Sequence, residues 1–178
     1  MNKWNSLMLI MLALLFNGCE ARESSTVHDP GGFRGLHWGQ SLPQQGFRHT
    51  YSESDETKWY WNENERDEDY YFGPGRALNI YYHFWKGRFY RVCINLKGYS
   101  NYRGVQVYAL NRFGKPSTSR ARLPYGWMPA FLEDYECSAW DFPKTVVVLT
   151  LHRNTEHSTL ELASKAIATE RDLELRKK

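Results

Sequence analysis

Apolar and polar residues alternate most regularly between Leu78 and Leu96. One apolar row runs through Leu78, Ile80, Tyr82 and Phe84, and the next through Tyr90, Val92, Ile94 and Leu96. This period of two predicts two β-strands joined as a hairpin at Lys86-Gly87. A strict two-residue loop would pair Phe84 with Phe89 and place the rows on opposite faces, whereas a three-residue loop unites them. We expect the three-residue loop, because Gly87 can adopt the left-handed conformation that it requires.

The other face of this hairpin would be mixed in character, carrying Asn79, Tyr81, His83, Phe89, Arg91, Cys93 and Asn95. Aromatic residues make up 16% of the chain, which is typical of well-packed sheet faces or of an adhesive binding surface. The mixed face could therefore stack on a sugar ring or clamp a peptide. A second layer of the fold that covers it is the alternative.

A period of three to four residues follows the hairpin and predicts an amphipathic helix. Its apolar positions are Tyr102, Val105, Ala109 and Phe113. Ser100 or Asn101 can cap its start, and Gly114 followed by Pro116 ends it.

The remaining patterns complete an α+β domain. A second hairpin is predicted from the β-branched run at 145–152 and the alternation at 158–163, with a loop at 153–157 and shorter strands at 33–38 and 58–61. Residues 164–178 favour a helix but carry few apolar side chains, so we expect a frayed helix or a tail. The fold class is thus an antiparallel sheet of hairpins with one main amphipathic helix packed on it.

The start of the chain has the layout of a bacterial export signal: Lys3, an apolar run from Leu7 to Phe16, and then Cys19. Ten apolar residues are too few to span a bilayer, which needs about 20 in a helix. The residues before Cys19 resemble a lipobox, which implies that Cys19 is lipidated after cleavage. Cleavage after Ala21 would instead release a soluble protein.

This start sets the expected domain boundaries and location. Residues 1–18 would be a signal peptide, 19–32 a tether, 33–164 a single α+β domain and 165–178 a helical or frayed tail. Glu20 resembles an outer-membrane sorting signal, which implies the periplasmic side of the outer membrane in the cell envelope. A secreted or periplasmic protein is the alternative location.

Cysteine usage fits export. Cys93 and Cys137 remain as an even pair in a compartment where disulfides persist, so we predict a disulfide between them. Two separate thiols are the alternative.

Charge is segregated along the chain although the net charge is only +3. Residues 70–132 contain ten Lys or Arg and no acid, whereas residues 20–69 contain eleven acids and five bases. A basic surface for an anionic partner is one interpretation, with turns and helix ends supplying the candidates Arg88, Arg112, Lys115, Arg120 and Arg122. The alternative is that the acidic segment folds back over the basic one. Export argues against a nucleic-acid partner.

Catalytic patterns are weak. The six histidines show no helical metal-ligand spacing and there is no Cys-x-x-Cys, so we predict neither a metal nor a cofactor. Cys93 near His83 could pair as nucleophile and base, but a disulfide or an inert thiol is the expected role. Acidic pairs such as Glu133 and Asp134 could support hydrolysis only if the fold placed carboxylates across a cleft.

Three segments resemble a loose group of small exported bacterial proteins of uncharacterised function. They are the opening Gly35-Leu36-His37-Trp38-Gly39 (G-x-x-W-G), the turn Phe84-Trp85-Lys86-Gly87-Arg88-Phe89 (F-x-K-G-x-F) and the helix end Phe113-Gly114-Lys115-Pro116 (F-G-x-P). The resemblance implies the fold and export, and it says little about activity.

The sequence as a whole favours an exported, lipid-anchored binding or interaction module of the cell envelope without catalytic activity. Its partners would be the membrane, through the lipid anchor, and an unidentified envelope protein or anionic lipid or glycan. A dedicated receptor for an anionic envelope lipid or glycan is one alternative function, and a small envelope hydrolase is another.

Overall fold

The computed structural model describes residues 27–117 and 135–177. These residues form eleven strands, two α-helices and a short 3-10 turn at Asp67–Tyr70. In chain order they are β1 Gly32–Phe33, β2 Leu36–His37, β3 Phe47–Ser52, β4 Thr57–Asn62, β5 Tyr71–Phe72, β6 Gly75–Arg76, β7 Asn79–Trp85, β8 Arg88–Lys97, α1 Tyr99–Phe113, β9 Tyr135–Asp141, β10 Thr145–His152, β11 His157–Ser164 and α2 Lys165–Leu175.

A seven-stranded antiparallel sheet organises the molecule, with the strand order β3-β4-β7-β8-β11-β10-β9. Two small hairpins, β1–β2 and β5–β6, and the helix α1 cover one face of this sheet, here called the α1 side. The largest core cluster lies there and includes Ile80, Val92, Ile94, Leu149 and Leu160, each at most 1% exposed. The predicted α+β class is confirmed.

The β7–β8 hairpin closes with two residues, so the predicted three-residue loop is wrong. Lys86 and Gly87 both have positive φ, of 49° and 73°, as the two-residue turn of this hand requires. Phe84 therefore pairs with Phe89, and the register shifts in the next step.

That shift is a β-bulge, and it restores the shared apolar face. Beyond it, Tyr82 pairs with Val92 and Ile80 with Ile94, all on the α1 side. Phe89 joins this core, whereas Tyr90 points to the opposite face, the reverse of their expected places. The extra residue of a bulge changes the facing of every residue after it, as a longer loop would.

Helix α1 confirms the predicted stripe, because Tyr102, Val105, Ala109 and Phe113 are all buried. It starts slightly earlier than expected, with Gly98 rather than Ser100 or Asn101 at the N-cap. Gly114 ends the helix at φ 75°, with its N–H donating to the Leu110 carbonyl over 2.9 Å.

Helix α2 lies against the opposite face of the sheet, here called the α2 side. The Ser164 hydroxyl caps it by accepting from the Ile167 N–H at 3.4 Å, and Ile167 and Ala168 are buried against Trp85 and Tyr90. Of the two expectations for the C-terminal residues, the structure shows a helix through Leu175. A second layer thus covers the α2 side around Trp85 and Tyr90, while Tyr81 on the same side stays partly exposed.

The predicted disulfide between Cys93 and Cys137 is wrong, since no bond joins these residues. Cys93 lies on β8 and Cys137 on β9, and strands β11 and β10 separate them. Three strand spacings amount to about 14 Å. A disulfide needs α-carbons within about 7 Å, so the sheet order itself prevents the bond.

Candidate anion-binding site at the end of helix α1

Several bases of the segment 70–132 form ion pairs with acids brought from elsewhere in the chain. Arg76 contacts Asp67 at 2.6 Å, as expected if the acidic segment folds back. Other acids come from the C-terminal third: Lys86 contacts Glu174 at 2.6 Å, Arg88 contacts Glu170 at 3.0 Å and Arg91 contacts Glu161 at 2.7 Å.

These pairs correct one predicted binding residue. The Arg88 guanidinium is engaged by Glu170 and also lies 4.9 Å from the centre of the Trp85 ring, so Arg88 belongs to the contact between the hairpin and α2. Glu170 of helix α2 supplies the carboxylate that neutralises Arg88. No pattern in the sequence predicted that this helix packs against the β7–β8 hairpin. The candidates Arg120 and Arg122, like the lipidation candidate Cys19, lie outside the described residues.

Two predicted cations remain available, Arg112 and Lys115. Both side chains are exposed at the C-terminal end of α1, and neither forms a salt bridge with any residue that the structure describes. Arg112 stands in the last helical turn, where a positive charge also favours the helix dipole. The helix end therefore presents two positive charges on either side of Gly114.

A cavity of about 400 Å³ opens beside Arg112, between the β1–β2 hairpin, α1 and the sheet. Its floor is apolar and consists of the buried side chains of Leu36, Phe72, Phe113, Leu160 and Leu162. Arg34, His37, Tyr71 and Arg112 stand at its rim, and all four are exposed. The lining residues thus combine a nearly closed apolar base with a polar and mostly basic rim.

Arg34 differs from Arg112 because its charge is already used within the fold. Its guanidinium lies 4.9 and 5.2 Å from the ring centres of Phe33 and Phe72, donates to Glu65 at 2.7 Å and also donates to the Asp69 carbonyl. Arg112 is consequently the rim guanidinium whose charge is not balanced by a described carboxylate.

Glu65 fixes the hairpin over the sheet. Its carboxylate is only 3% exposed and accepts from Arg34 and, at 2.5 Å, from the Tyr82 hydroxyl. Burial, together with the nearby Glu65 charge, raises the pKa of Tyr82, so its hydroxyl stays protonated and donates. The wall of the cavity is thus held by an ion pair and a hydrogen bond that need no ligand.

Asp29 fixes the point where the chain enters the fold. Its carboxylate accepts from the Lys144 N–H at 2.6 Å and from the Thr145 hydroxyl at 2.5 Å. Burial opposes ionisation, but these hydrogen bonds outweigh it and lower the pKa of Asp29. Val27, two residues earlier, lies close to Gly114, so the chain enters beside Arg112 and Lys115.

The mixed face offers no arrangement of catalytic groups around Cys93 and His83. Burial, reinforced by Arg91 and Arg171, lowers the pKa of His83, which lies between the rings of Trp59 and Tyr90. Burial and the neighbouring Glu161 raise the pKa of Cys93, so it remains a thiol. Among the described residues, no group of three or more His, Cys, Asp or Glu could hold a metal ion. Glu133 and Asp134 lie outside the described residues.

Comparison with known proteins assigns no relative: no protein family, no curated protein and no solved structure matches this chain. Within the described residues, no helix has the length and apolar character needed to cross a membrane. Arg112 and Lys115 were candidates on the sequence alone, and the structure shows both to be exposed. It missed the cavity, because residues as distant as Arg34 and Leu162 line it and no local pattern connects them.

Proposed function

We propose that this protein is an exported, lipid-anchored binding module of the cell envelope, on the periplasmic side of the outer membrane, that catalyses no reaction. Its partner would be an anionic envelope lipid, engaged by the C-terminal end of α1. The observation that carries the proposal is the pair of exposed cations, Arg112 and Lys115, which have no ion-pair partners among the described residues.

The length of the chain between Cys19 and the fold supports a lipid surface as the partner. Val27 lies eight positions after Cys19, and a fully extended chain over eight steps spans at most about 28 Å. Because Val27 lies close to Gly114, a lipid on Cys19 would keep Arg112 and Lys115 near the bilayer. Each Lys or Arg close to an anionic membrane surface contributes about 1 kcal/mol to binding.

The anchor is tested by Cys19→Ser. The substituted protein should leave the membrane fraction or remain unprocessed, because the thiol that accepts the lipid is lost. Fractionation of the envelope followed by mass measurement of the N-terminal peptide distinguishes these results. A substituted protein that is cleaved and still sediments with membranes would show that Cys19 is not the anchor.

Binding to the anionic surface is tested by the double substitution R112E/K115E. Affinity for vesicles that contain an anionic phospholipid should fall by at least about thirtyfold, the equivalent of about 2 kcal/mol for two lost cations. Binding of the unchanged protein should also weaken with salt, because exposed charges are screened over about 8 Å at physiological ionic strength. Co-sedimentation with vesicles at several salt concentrations measures both effects.

The matched control is K97E/R103E, which makes the same charge change near the start of α1. It should retain most of the vesicle binding, and both double variants should unfold within about 0.5 kcal/mol of the unchanged protein for each exposed position. Equal loss in the two variants would mean that only net charge matters. No binding by the unchanged protein at low salt would rule out an anionic lipid surface and leave an envelope protein as the partner.

A further inference from the structure

We propose that the C-terminal end of α1 binds the anionic bilayer by inserting apolar side chains between the lipid headgroups. The inserted side chains would be those of Val27, Val107 and Leu110, here called the α1 tip. This inference rests on the proposed function, because the cations of the same helix end would contact the headgroups. It adds an apolar contact and a depth to a site so far defined only by charge.

The outer face of α1 carries apolar residues where a surface helix normally carries polar ones. Val107 and Leu110 are 45% and 42% exposed, although Val105 and Ala109 between and beside them are buried against the sheet. The two exposed residues stand three positions apart, so they are neighbours on one face of the helix. This face is therefore apolar on the side turned away from the core.

Val27 extends this apolar surface beyond the helix. Gly114 follows Leu110 by four positions, and its N–H donates to the Leu110 carbonyl, so the two residues are neighbours at the helix end. A β-carbon at Gly114 would lie 3.2 Å from a methyl carbon of Val27, so Val27 lies against this glycine. Val27 is itself 44% exposed. The three side chains of the α1 tip are thus grouped at one place on the surface.

The charges beside the α1 tip suit an anionic bilayer. None of the 15 residues of α1 is acidic, and the exposed Arg112 and Lys115 stand on either side of Gly114. Long basic side chains can keep their charge at the headgroups while their apolar stems lie deeper. Apolar side chains flanked by bases are typical of helices that bind at the interface of anionic membranes.

Acids lie near the start of α1 and orient the approach. The Tyr102 hydroxyl donates to the Glu136 carboxylate at 3.0 Å, and the Gly98 N–H donates to the Glu156 carbonyl at 3.0 Å. Near the α1 tip, the Asp29 carboxylate is already held by hydrogen bonds within the fold. Because free carboxylates repel anionic headgroups, the helix should enter with its C-terminal end first.

Helix geometry sets the depth of insertion. At a rise of 1.5 Å per residue, Val107 lies about 9 Å and Arg103 about 15 Å before the helix end at Phe113. Interfacial helices bury their apolar side about 5 to 10 Å into the boundary between headgroups and acyl chains. Insertion to that depth would immerse Leu110 and Val107 and leave Arg103 in water.

The test compares two double substitutions of exposed apolar residues, V107S/L110S at the α1 tip and L173S/L175S on α2. Leu173 and Leu175 are 55% and 43% exposed, so the control removes at least as much apolar surface. Every protein is the full chain carrying Cys19→Ser, so residues 1–26 contribute equally and cancel in a ratio of affinities. Co-sedimentation with vesicles of phosphatidylglycerol and phosphatidylcholine is measured at about 1 M salt, where charges are screened over about 3 Å.

Under these conditions V107S/L110S should bind at least tenfold more weakly than L173S/L175S. Val107 and Leu110 each expose somewhat less than half of their surface, so together they would bury about as much as one whole side chain. Removing one Val or Leu side chain from water changes an affinity by roughly tenfold or more. L173S/L175S should bind as tightly as the chain with Cys19→Ser alone.

A second pair of variants adds apolar surface instead of removing it. Leu110→Trp should raise the affinity at the same salt concentration by about threefold or more, because Trp prefers the membrane interface. Leu173→Trp is the matched control and should change nothing. If V107S/L110S does not fold, as circular dichroism would show, these two variants decide the result. Equal gains in both would overturn insertion at the end of α1.

The outcomes separate this inference from the proposed function when R112E/K115E is measured at low salt on the same vesicles. Weaker binding by both V107S/L110S and R112E/K115E supports both proposals. Equal binding by V107S/L110S and L173S/L175S overturns insertion, and a loss in R112E/K115E then keeps the anionic lipid as the partner. Weaker binding by V107S/L110S with no effect of R112E/K115E overturns the anionic partner and leaves the apolar contact. No effect of either substitution overturns both.

Discussion

Replacing Gly104 by valine should lower the free energy of unfolding by about 3 kcal/mol, near the upper end of the effects seen for overpacked positions. Helix α1 crosses the β5–β6 hairpin where Gly104 meets Gly75. A β-carbon at Gly104 would lie 2.3 Å from the Gly75 backbone nitrogen and 2.6 Å from its α-carbon. Because these are backbone atoms, the helix and the hairpin would have to separate.

Gly104→Ala makes the test sharper, because two effects predict changes of opposite sign in the free energy of unfolding. Helix propensity alone would stabilise the protein by up to about 1 kcal/mol, whereas the close approach should destabilise it. Asn111→Ala, at an exposed position of the same helix, is the control and should be neutral or stabilising. Urea unfolding measures all three variants. A Gly104→Ala protein more stable than the original would contradict the close contact between helix and hairpin.

Arg34→Met should lower the free energy of unfolding by about 3 kcal/mol, because it leaves the buried Glu65 carboxylate without its ion-pair partner. The two side chains are 26% and 3% exposed and lie 2.7 Å apart. The substitution also removes the guanidinium from the rings of Phe33 and Phe72.

A surface pair provides the matched control. Arg48 contacts Glu63 at 3.4 Å and lies 4.6 Å from the centre of the Trp61 ring. Both members of this ion pair are open to solvent, with side-chain exposures of 58% for Arg48 and 51% for Glu63. Arg48→Met should therefore cost less than about 1 kcal/mol. Adding Glu65→Gln to Arg34→Met should recover part of the lost free energy of unfolding, because it removes the unpaired buried charge. Equal destabilisation by the two arginine substitutions would contradict a special role for burial.

The docking of α2 explains much of the charge segregation. Glu170 and Glu174 lie on its exposed side and reach Arg88 and Lys86 at the tip of the β7–β8 hairpin. Arg171 on the same helix reaches Glu53 in the acidic segment at 2.5 Å. The helix thus joins the acidic and basic parts of the chain, whereas Arg112 and Lys115 at the end of α1 form no salt bridge with a described residue.

Elements with a strong local period could be predicted from the sequence. The alternation of β7 and β8 and the stripe of α1 are imposed by one buried face, and this face is visible within a single segment. Strand β3 escaped prediction because it is an edge strand whose residues from Arg48 to Ser52 are all exposed, so no apolar alternation marks it. In β9 the first four residues are all partly buried and the next two are both buried, so burial does not alternate along the strand.

By itself the sequence determined the fold class and the main helix with its end, and it named Arg112 and Lys115 as candidates, both of which are exposed. Only the tertiary structure decided the sheet order, which separates Cys93 from Cys137, and brought Arg34 and Leu162 to the same cavity. It also decided that Glu170 neutralises Arg88 across 82 positions of the chain. The physical reason is that periodicity records which residues are buried, whereas strand partners, ion pairs and cavities depend on which distant segments come together.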